Sequence, residues 1–227
     1  MSIHKQLALL LLLHSCAPSF AQSAIACDWK AMESSFEAIV DEDQSGAQMT
    51  MALLEKFLQA RKDDPERPHS AEEDAHFKEV GAIRKKAGQE HLKVMLPILK
   101  SCGWPDYTKL SEKASRAAWL TIQHASKADQ DAVEPMIEEA FKVGKIRPAE
   151  YALLVDRIRT RNKRPQLYGS QVFTKLSPTG AKNTWGPIDD IDHLDERRAS
   201  IGLEPICDYL RGFGDLNVSE LNPRCTK

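Results

Sequence analysis

The chain has 227 residues, of which 42% are hydrophobic and 28% are charged, a balance typical of a folded protein and not of a disordered one. Its formal net charge is −2, with 31 basic residues against 33 acidic residues. Nucleic-acid binding is therefore not indicated, because a surface that follows phosphates needs a concentrated basic field.

Residues 1–21 are predicted to be a signal peptide, so we expect an exported protein, periplasmic or secreted. Lys5 gives a short positive region, residues 7–13 are continuously apolar, and Ser19-Phe20-Ala21 places small residues at the two positions that a signal peptidase inspects. Seven apolar residues are far fewer than the roughly 20 needed to cross a bilayer. No transmembrane span is predicted here or later in the chain.

A second processing route is left open by Leu13-His14-Ser15-Cys16, which resembles a lipoprotein box. His14 stands where a small residue is usual, so the signal-peptide interpretation is preferred. The alternative is a lipoprotein anchored through Cys16.

Residues 22–227 are predicted to form a single, mainly α domain, a multi-helix array with a small late β-hairpin. Residues 28–100 supply two long N-terminal helices, because apolar residues recur there at spacings of three and four. The break between the helices is expected at residues 63–68, which contain two prolines, and Ser70 with Glu73 forms a capping box for the second helix. Gly46 and Pro97 are positions where these helices could be interrupted or kinked.

Residues 103–212 follow as a second group of helices with a hairpin at about 167–188, and residues 213–227 form a tail. A helix is predicted over about 111–125, another reaches about 141, and Pro148 suits the first turn of a third. The predicted strands span 167–174 and 184–188, around the Pro178-Thr179-Gly180 turn. Asp192 and Asp195 are expected to cap a last pair of short helices.

Four cysteines remain after either processing route, and in an oxidising compartment they suggest up to two disulfides. Three full pairings are open. Our prediction is Cys207–Cys225, which would tie down the C-terminal tail, together with Cys27–Cys102. No cysteine or histidine spacing indicates a zinc site.

Gln123 and His124 are polar residues in rows that begin with large apolar ones. On the predicted helix, Gln123 lies one turn above Trp119, and His124 lies one turn above Leu120. One interpretation is a buried pair satisfied by backbone groups. The other is a functional site at which His124 titrates near neutral pH.

Asp156 and Arg157 flank the apolar stripe of a later helix and are interpreted as a surface ion pair or, if Asp156 lies near His124, as part of a site. Tyr168 and Gln171 belong to a Gln166–Gln171 segment that could orient a polar ligand or complete an edge-strand network. If residues 166–171 form a strand, Gln166, Tyr168 and Ser170 face one side and the alternate residues face the other.

Several landmarks occur together and in order: Gly103-Trp104-Pro105, Trp119 with Gln123-His124-Ala125, Tyr151-Ala152 with Asp156-Arg157, Gln166 to Gln171, Pro187-Ile188, and Glu196-Arg197-Arg198 with Gly202-Leu203. This order resembles an uncharacterised bacterial family, DUF6624, over roughly residues 103–210. Asp43-Gln44 looks like an Asp-Gln pair of that family, whereas Ala47 stands where an arginine is expected and Ser170 replaces a threonine. The resemblance implies a shared fold and polar centre but no reaction.

Two classes of function therefore stay open. The first is an enzyme, such as a hydrolase or transferase, in which His124 is the acid/base, Asp156 its partner, and Gln123, Arg157, Tyr168 and Gln171 bind a small polar ligand. The second is a non-catalytic periplasmic binding or inhibitor/immunity-like protein with another envelope protein as partner. The same residues could also form only an internal polar network. No cofactor or metal is predicted, although His193 lies among several aspartates.

Overall fold

The computed structural model describes residues 27–62, 64, 67–68, 70–177, 180–213 and 217–225. The predicted signal peptide and Cys16 lie outside the described residues. Within them the chain is mainly α-helical with one two-stranded antiparallel sheet late in the sequence, which confirms the predicted fold class. No helix in these ranges is both long enough and apolar enough to cross a membrane.

Two 32-residue helices form an N-terminal hairpin: α1 spans Trp29–Ala60 and α2 spans Ala71–Cys102. The predicted capping box is confirmed at the start of α2, where Ser70 and Glu73 exchange side-chain and backbone hydrogen bonds. Neither of the expected interruptions ends a helix. Gly46 is buried inside α1, and the Arg84 side chain packs closely against it: an ideal Cβ there would lie 3.3 Å from Cγ of Arg84.

Three shorter helices follow: α3 (Ala117–His124), α4 (Lys127–Lys142) and α5 (Pro148–Arg161). Of these, α3 packs against the helical hairpin, and α4 and α5 pack against α3 and against each other. Pro148 is the first residue of α5, as predicted. The helix expected from 111 begins only at 117, after a 3₁₀ turn. The backbone N–H and the hydroxyl of Ser111 donate to Glu33 and Glu37 of α1, and these bonds tie the preceding segment to α1.

The main hydrophobic core lies where these five helices meet. Its fully buried members include Phe36 from α1, Met95 and Leu99 from α2, Ile122 from α3 and Ile137 from α4. The buried face of α3 packs into this core, and His124, the last residue of α3, lies next to α1. The core therefore fixes the position of the candidate site.

The hairpin consists of β1 (Val172–Ser177) and β2 (Gly180–Trp185), with Val172 opposite Trp185. The predicted strand bounds were wrong, because residues 167–171 are a loop and β2 starts four residues earlier than expected. The carboxylate of Asp156 accepts backbone N–H groups of this loop, which a strand ladder would otherwise use. The predicted alternation of side chains over 166–171 is therefore not found.

Three short helices close the described chain: α6 (Leu194–Ser200), α7 (Ile206–Arg211) and α8 (Val218–Leu221). Asp195 lies within α6 and accepts the backbone N–H of Ile206, so it caps α7. Asp192 is ion-paired with Arg224 and caps neither helix, contrary to the prediction.

Both predicted disulfide pairings are confirmed. Cys27–Cys102 joins the start of the helical hairpin to its end across 75 residues of sequence, and Cys207–Cys225 joins α7 to the tail across 18. Cys225 is buried in a second, smaller apolar cluster with Leu194, Ile206 and Leu210. The disulfide thus holds the C-terminal segment onto this cluster.

Candidate functional site

His124 is the last residue of α3, and its imidazole faces a carboxylate of α1. Nε2 of His124 lies 3.4 Å from Oδ1 of Asp43 and 3.3 Å from the side-chain amide nitrogen of Gln123. The Asp43 side chain is 13% exposed and that of His124 is 37% exposed, so the pair lies at the border between core and solvent. Among the described residues, Nδ1 of His124 has no hydrogen-bond partner.

The pair opens onto a groove of about 640 Å³ between α1 and α2. This volume is within the range of about 300–1,000 Å³ found for small-molecule sites. Asp43, Arg84, His91 and His124 are polar residues that line it, and Gly46, Gly81 and Gly88 keep parts of its walls free of side chains.

A second imidazole–carboxylate pair lies in the same groove. Nε2 of buried His91 is 2.9 Å from Oε2 of Glu42, whose side chain is largely exposed. Both carboxylates that α1 contributes to the groove, Glu42 and Asp43, therefore have an imidazole partner.

Arginines reach the same region from two other helices. Nη1 of Arg157 donates to the carbonyl of Gln123 at 3.3 Å, and Nη1 of Arg161 donates to the carbonyl of Ala125 at 2.8 Å. These two bonds satisfy carbonyls at the end of α3 on either side of His124. Arg84 of α2 lines the groove and donates to the Thr50 hydroxyl at 3.2 Å.

The pKa of His124 lies below its ordinary value, chiefly because burial disfavours the charged imidazolium. Asp43 acts in the opposite direction and raises the pKa, whereas Arg84, Arg157 and Arg161 lower it further. The imidazole is therefore neutral at neutral pH and can accept a proton from a bound group.

Asp156 lies apart from His124, in a network that shapes the 167–170 loop. It is fully buried, and its two oxygens accept the backbone N–H groups of Leu167 at 2.6 Å, Tyr168 at 3.1 Å and Ser170 at 2.8 Å. No contact joins Asp156 to His124 in the described part of the chain. Its lone pairs are occupied by backbone donors, so it acts on the loop and not on the imidazole.

Gln171 and Gln166 extend this buried network. The side chain of Gln166 receives the backbone N–H of Gln171 and donates to its carbonyl, while the side-chain amide of Gln171 donates to the carbonyl of Leu153 at 3.2 Å. Tyr168 is half-buried, and its carbonyl accepts a hydrogen bond from buried Arg198 at 2.7 Å. Burial raises the pKa of its phenol.

The six predicted site residues thus fall into two groups. Gln123 and His124 are the last residues of α3, and Arg157 donates to the carbonyl of Gln123. Of the six predicted residues, only His124 lines the groove. Asp156, Tyr168 and Gln171 belong to the loop network. Sequence reasoning did not include Asp43, Arg84 and His91 in the site, although the Asp43-Gln44 pair was a signal that pointed to Asp43.

The Asp190–His193 region behaves as a surface turn. Nδ1 of His193 lies 2.9 Å from Oδ2 of exposed Asp190, and this carboxylate raises the pKa of the imidazole. Across the described ranges, no cluster of three or more histidine, cysteine, aspartate or glutamate side chains is arranged to hold a metal ion.

The chain belongs to DUF6624, a family of unknown function whose model matches residues 77–219. The match begins earlier than the resemblance found from the motifs and includes α2 from Phe77 onward, with Arg84 and His91, as well as His124 and both of its neighbouring arginines. Asp43 precedes the matched residues. Comparisons with curated proteins and with solved structures gave no match.

Proposed function

We propose that this is an exported protein whose α1–α2 groove binds a small polar ligand, with His124 as an acid/base group and Asp43 as the carboxylate that orients it. The observation that carries the proposal is the 3.4 Å contact between the two side chains at the edge of the groove. The side-chain amide nitrogen of Gln123 can only donate, so Nε2 of His124 is the acceptor of that contact and Nδ1 carries the hydrogen of the neutral imidazole. Nε2 is then the atom that takes up a proton, and it faces the Asp43 carboxylate. Catalytic contacts are often this long before a ligand is bound.

Export is supported by the predicted signal peptide over residues 1–21 and by the two disulfides, since disulfides persist in oxidising compartments. In this proposal residues 22–227 form one helical domain. Asp156, Tyr168 and Gln171 act as scaffold, because Asp156 holds the loop that contains Tyr168 against α5, the helix that also carries Arg157.

The proposal is tested with the processed protein, disulfides intact, against a fixed panel of amino acids, sugars, sugar phosphates, dicarboxylates and peptidoglycan fragments. Binding is measured by isothermal titration calorimetry, which is applied in the same way to the wild type and to each variant. We expect at least one compound to bind saturably to the wild type and to lose binding in His124→Gln. The matched control is His76→Gln, which replaces an exposed histidine of α2 outside the groove. Equal binding by His124→Gln would contradict the proposal.

A second candidate is a binding or inhibitor-like protein that recognises another envelope protein. It is favoured by large apolar side chains exposed on the helical hairpin, among them Met51 at 62% and Leu58 at 53%. A pull-down from an envelope extract in which a stable partner is lost in Met51→Gln/Leu58→Gln, but kept in His124→Gln, would support this candidate over the first.

A further inference from the structure

The arginines around His124 have no acidic partner among the described residues. In the part of the chain that the structure describes, no carboxylate oxygen lies within ion-pair distance of Arg84, Arg157 or Arg161. Other arginines of the same region do have them: Arg159 of α5 is 3.0 Å from Asp189, and Arg164 is 2.8 Å from Glu134. The lack of partners is therefore a property of this site and not of the helix.

The guanidinium groups also have unused donors. Each carries five N–H groups, and the bonds to the carbonyls of Gln123 and Ala125 and to the Thr50 hydroxyl use one donor apiece. Arg157 is half-buried, and burial together with Arg161 lowers its pKa. A partly desolvated cation beside a second, exposed cation is unfavourable unless an anion joins them.

The carboxylates of the groove do not supply that anion, because each is engaged elsewhere. Glu42 pairs with His91, and Asp43 pairs with His124. Arg84 and Lys85 line the groove together with these two acids, and Arg157 and Arg161 lie at the adjoining end of α3, so cationic side chains outnumber carboxylates in this region.

We infer that the ligand of the groove carries an oxyanionic group, a phosphate or a carboxylate, which Arg84 binds inside the groove beside His124 and which extends past His124 to Arg157 and Arg161 at the end of α3. The inference rests on the proposed function, since it names the ligand class of the same groove. Guanidinium forks match the geometry of both oxyanions and can bind them through paired hydrogen bonds. A bound anion would also stabilise the imidazolium, so it would leave His124 better able to carry a proton.

The test uses inorganic phosphate and succinate as probes, each titrated into the processed protein at constant ionic strength with chloride as the balancing anion. We expect one or both to shift the His124 imidazole signal saturably and to raise its pKa. Tighter binding of phosphate identifies a phosphate ligand, and tighter binding of succinate identifies a carboxylate. A response no greater than that to chloride would overturn the inference, since it would reflect screening alone.

Arg157→Gln and Arg84→Gln should each weaken binding by about tenfold or more, the effect of losing charge-assisted hydrogen bonds. Arg84→Gln is the safer variant because it leaves the end of α3 intact. Arg211→Gln, which alters an exposed ion pair with Asp208, is the control and should bind normally. Unchanged affinity in both Arg84→Gln and Arg157→Gln would also overturn the inference. If the anions fail but an uncharged member of the panel binds in a His124-dependent way, the proposed function stands and only the ligand class is wrong.

Discussion

Replacing Asp156 with asparagine should destabilise the protein by about 2–3 kcal/mol, because the amide can accept hydrogen bonds through only one of its two polar atoms. In the native structure both carboxylate oxygens accept: Oδ1 receives Leu167 and Tyr168, and Oδ2 receives Ser170. In either orientation the new NH₂ group faces a backbone N–H donor in a fully buried site. Asp156→Ala removes every acceptor and should cost more, about 3–5 kcal/mol.

Urea unfolding followed by far-UV circular dichroism, with the disulfides oxidised, measures both variants. Asp208→Asn is the matched control: it removes an exposed carboxylate from a surface ion pair, so a change within about 0.5 kcal/mol is expected. A loss below about 0.5 kcal/mol for Asp156→Asn would refute the reasoning that this carboxylate holds the loop.

Three further predictions concern other parts of the molecule. Cys27→Ser/Cys102→Ser should lower the free energy of unfolding by about 4 kcal/mol, since the bond closes a loop of 75 residues. Urea unfolding measures this loss, and an unchanged free energy of unfolding would contradict the presence of the bond. Gly169→Ala should cost roughly 2–4 kcal/mol in the same assay, because φ is +69° and the new Cβ would lie 2.7 Å from the Trp185 ring; a neutral substitution would contradict this packing. Because the pKa of His124 is lower in the folded protein than in the unfolded chain, the unfolded chain binds this proton at a higher pH. The free energy of unfolding should therefore fall as the pH drops below 6.5. His124→Gln should reduce that fall in melts recorded across this range, and an identical pH profile would argue against a desolvated imidazole.

Local signals made most of the helices predictable. The Ser70–Glu73 capping box and Pro148 at a first turn act within a few residues, and the structure retains both. The strand bounds were not predictable in this way. Residues 167–170 have a strand-like composition, but a buried carboxylate from α5, more than ten residues away in sequence, takes their backbone donors.

The candidate site was predictable only in part for a similar reason. His124 was identifiable because a polar residue continues an apolar row of its helix. Asp43 and Arg84 reach it only through the packing of the α1–α2 hairpin against α3, and periodicity along one helix carries no information about that contact. Asp156 is adjacent to Arg157 in sequence, yet its side chain binds the 167–170 loop.

The contact between Asp43 and His124 is the central claim, and NMR titration of the His124 imidazole in the wild type and in Asp43→Asn tests it most directly. The account predicts a pKa below 6.5 in the wild type and a lower one in Asp43→Asn, because the carboxylate favours the imidazolium against burial and three arginines. His193, whose partner is Asp190, serves as the internal reference and should titrate identically in both proteins. A His124 pKa at or above 6.5 that does not move in Asp43→Asn would contradict the account.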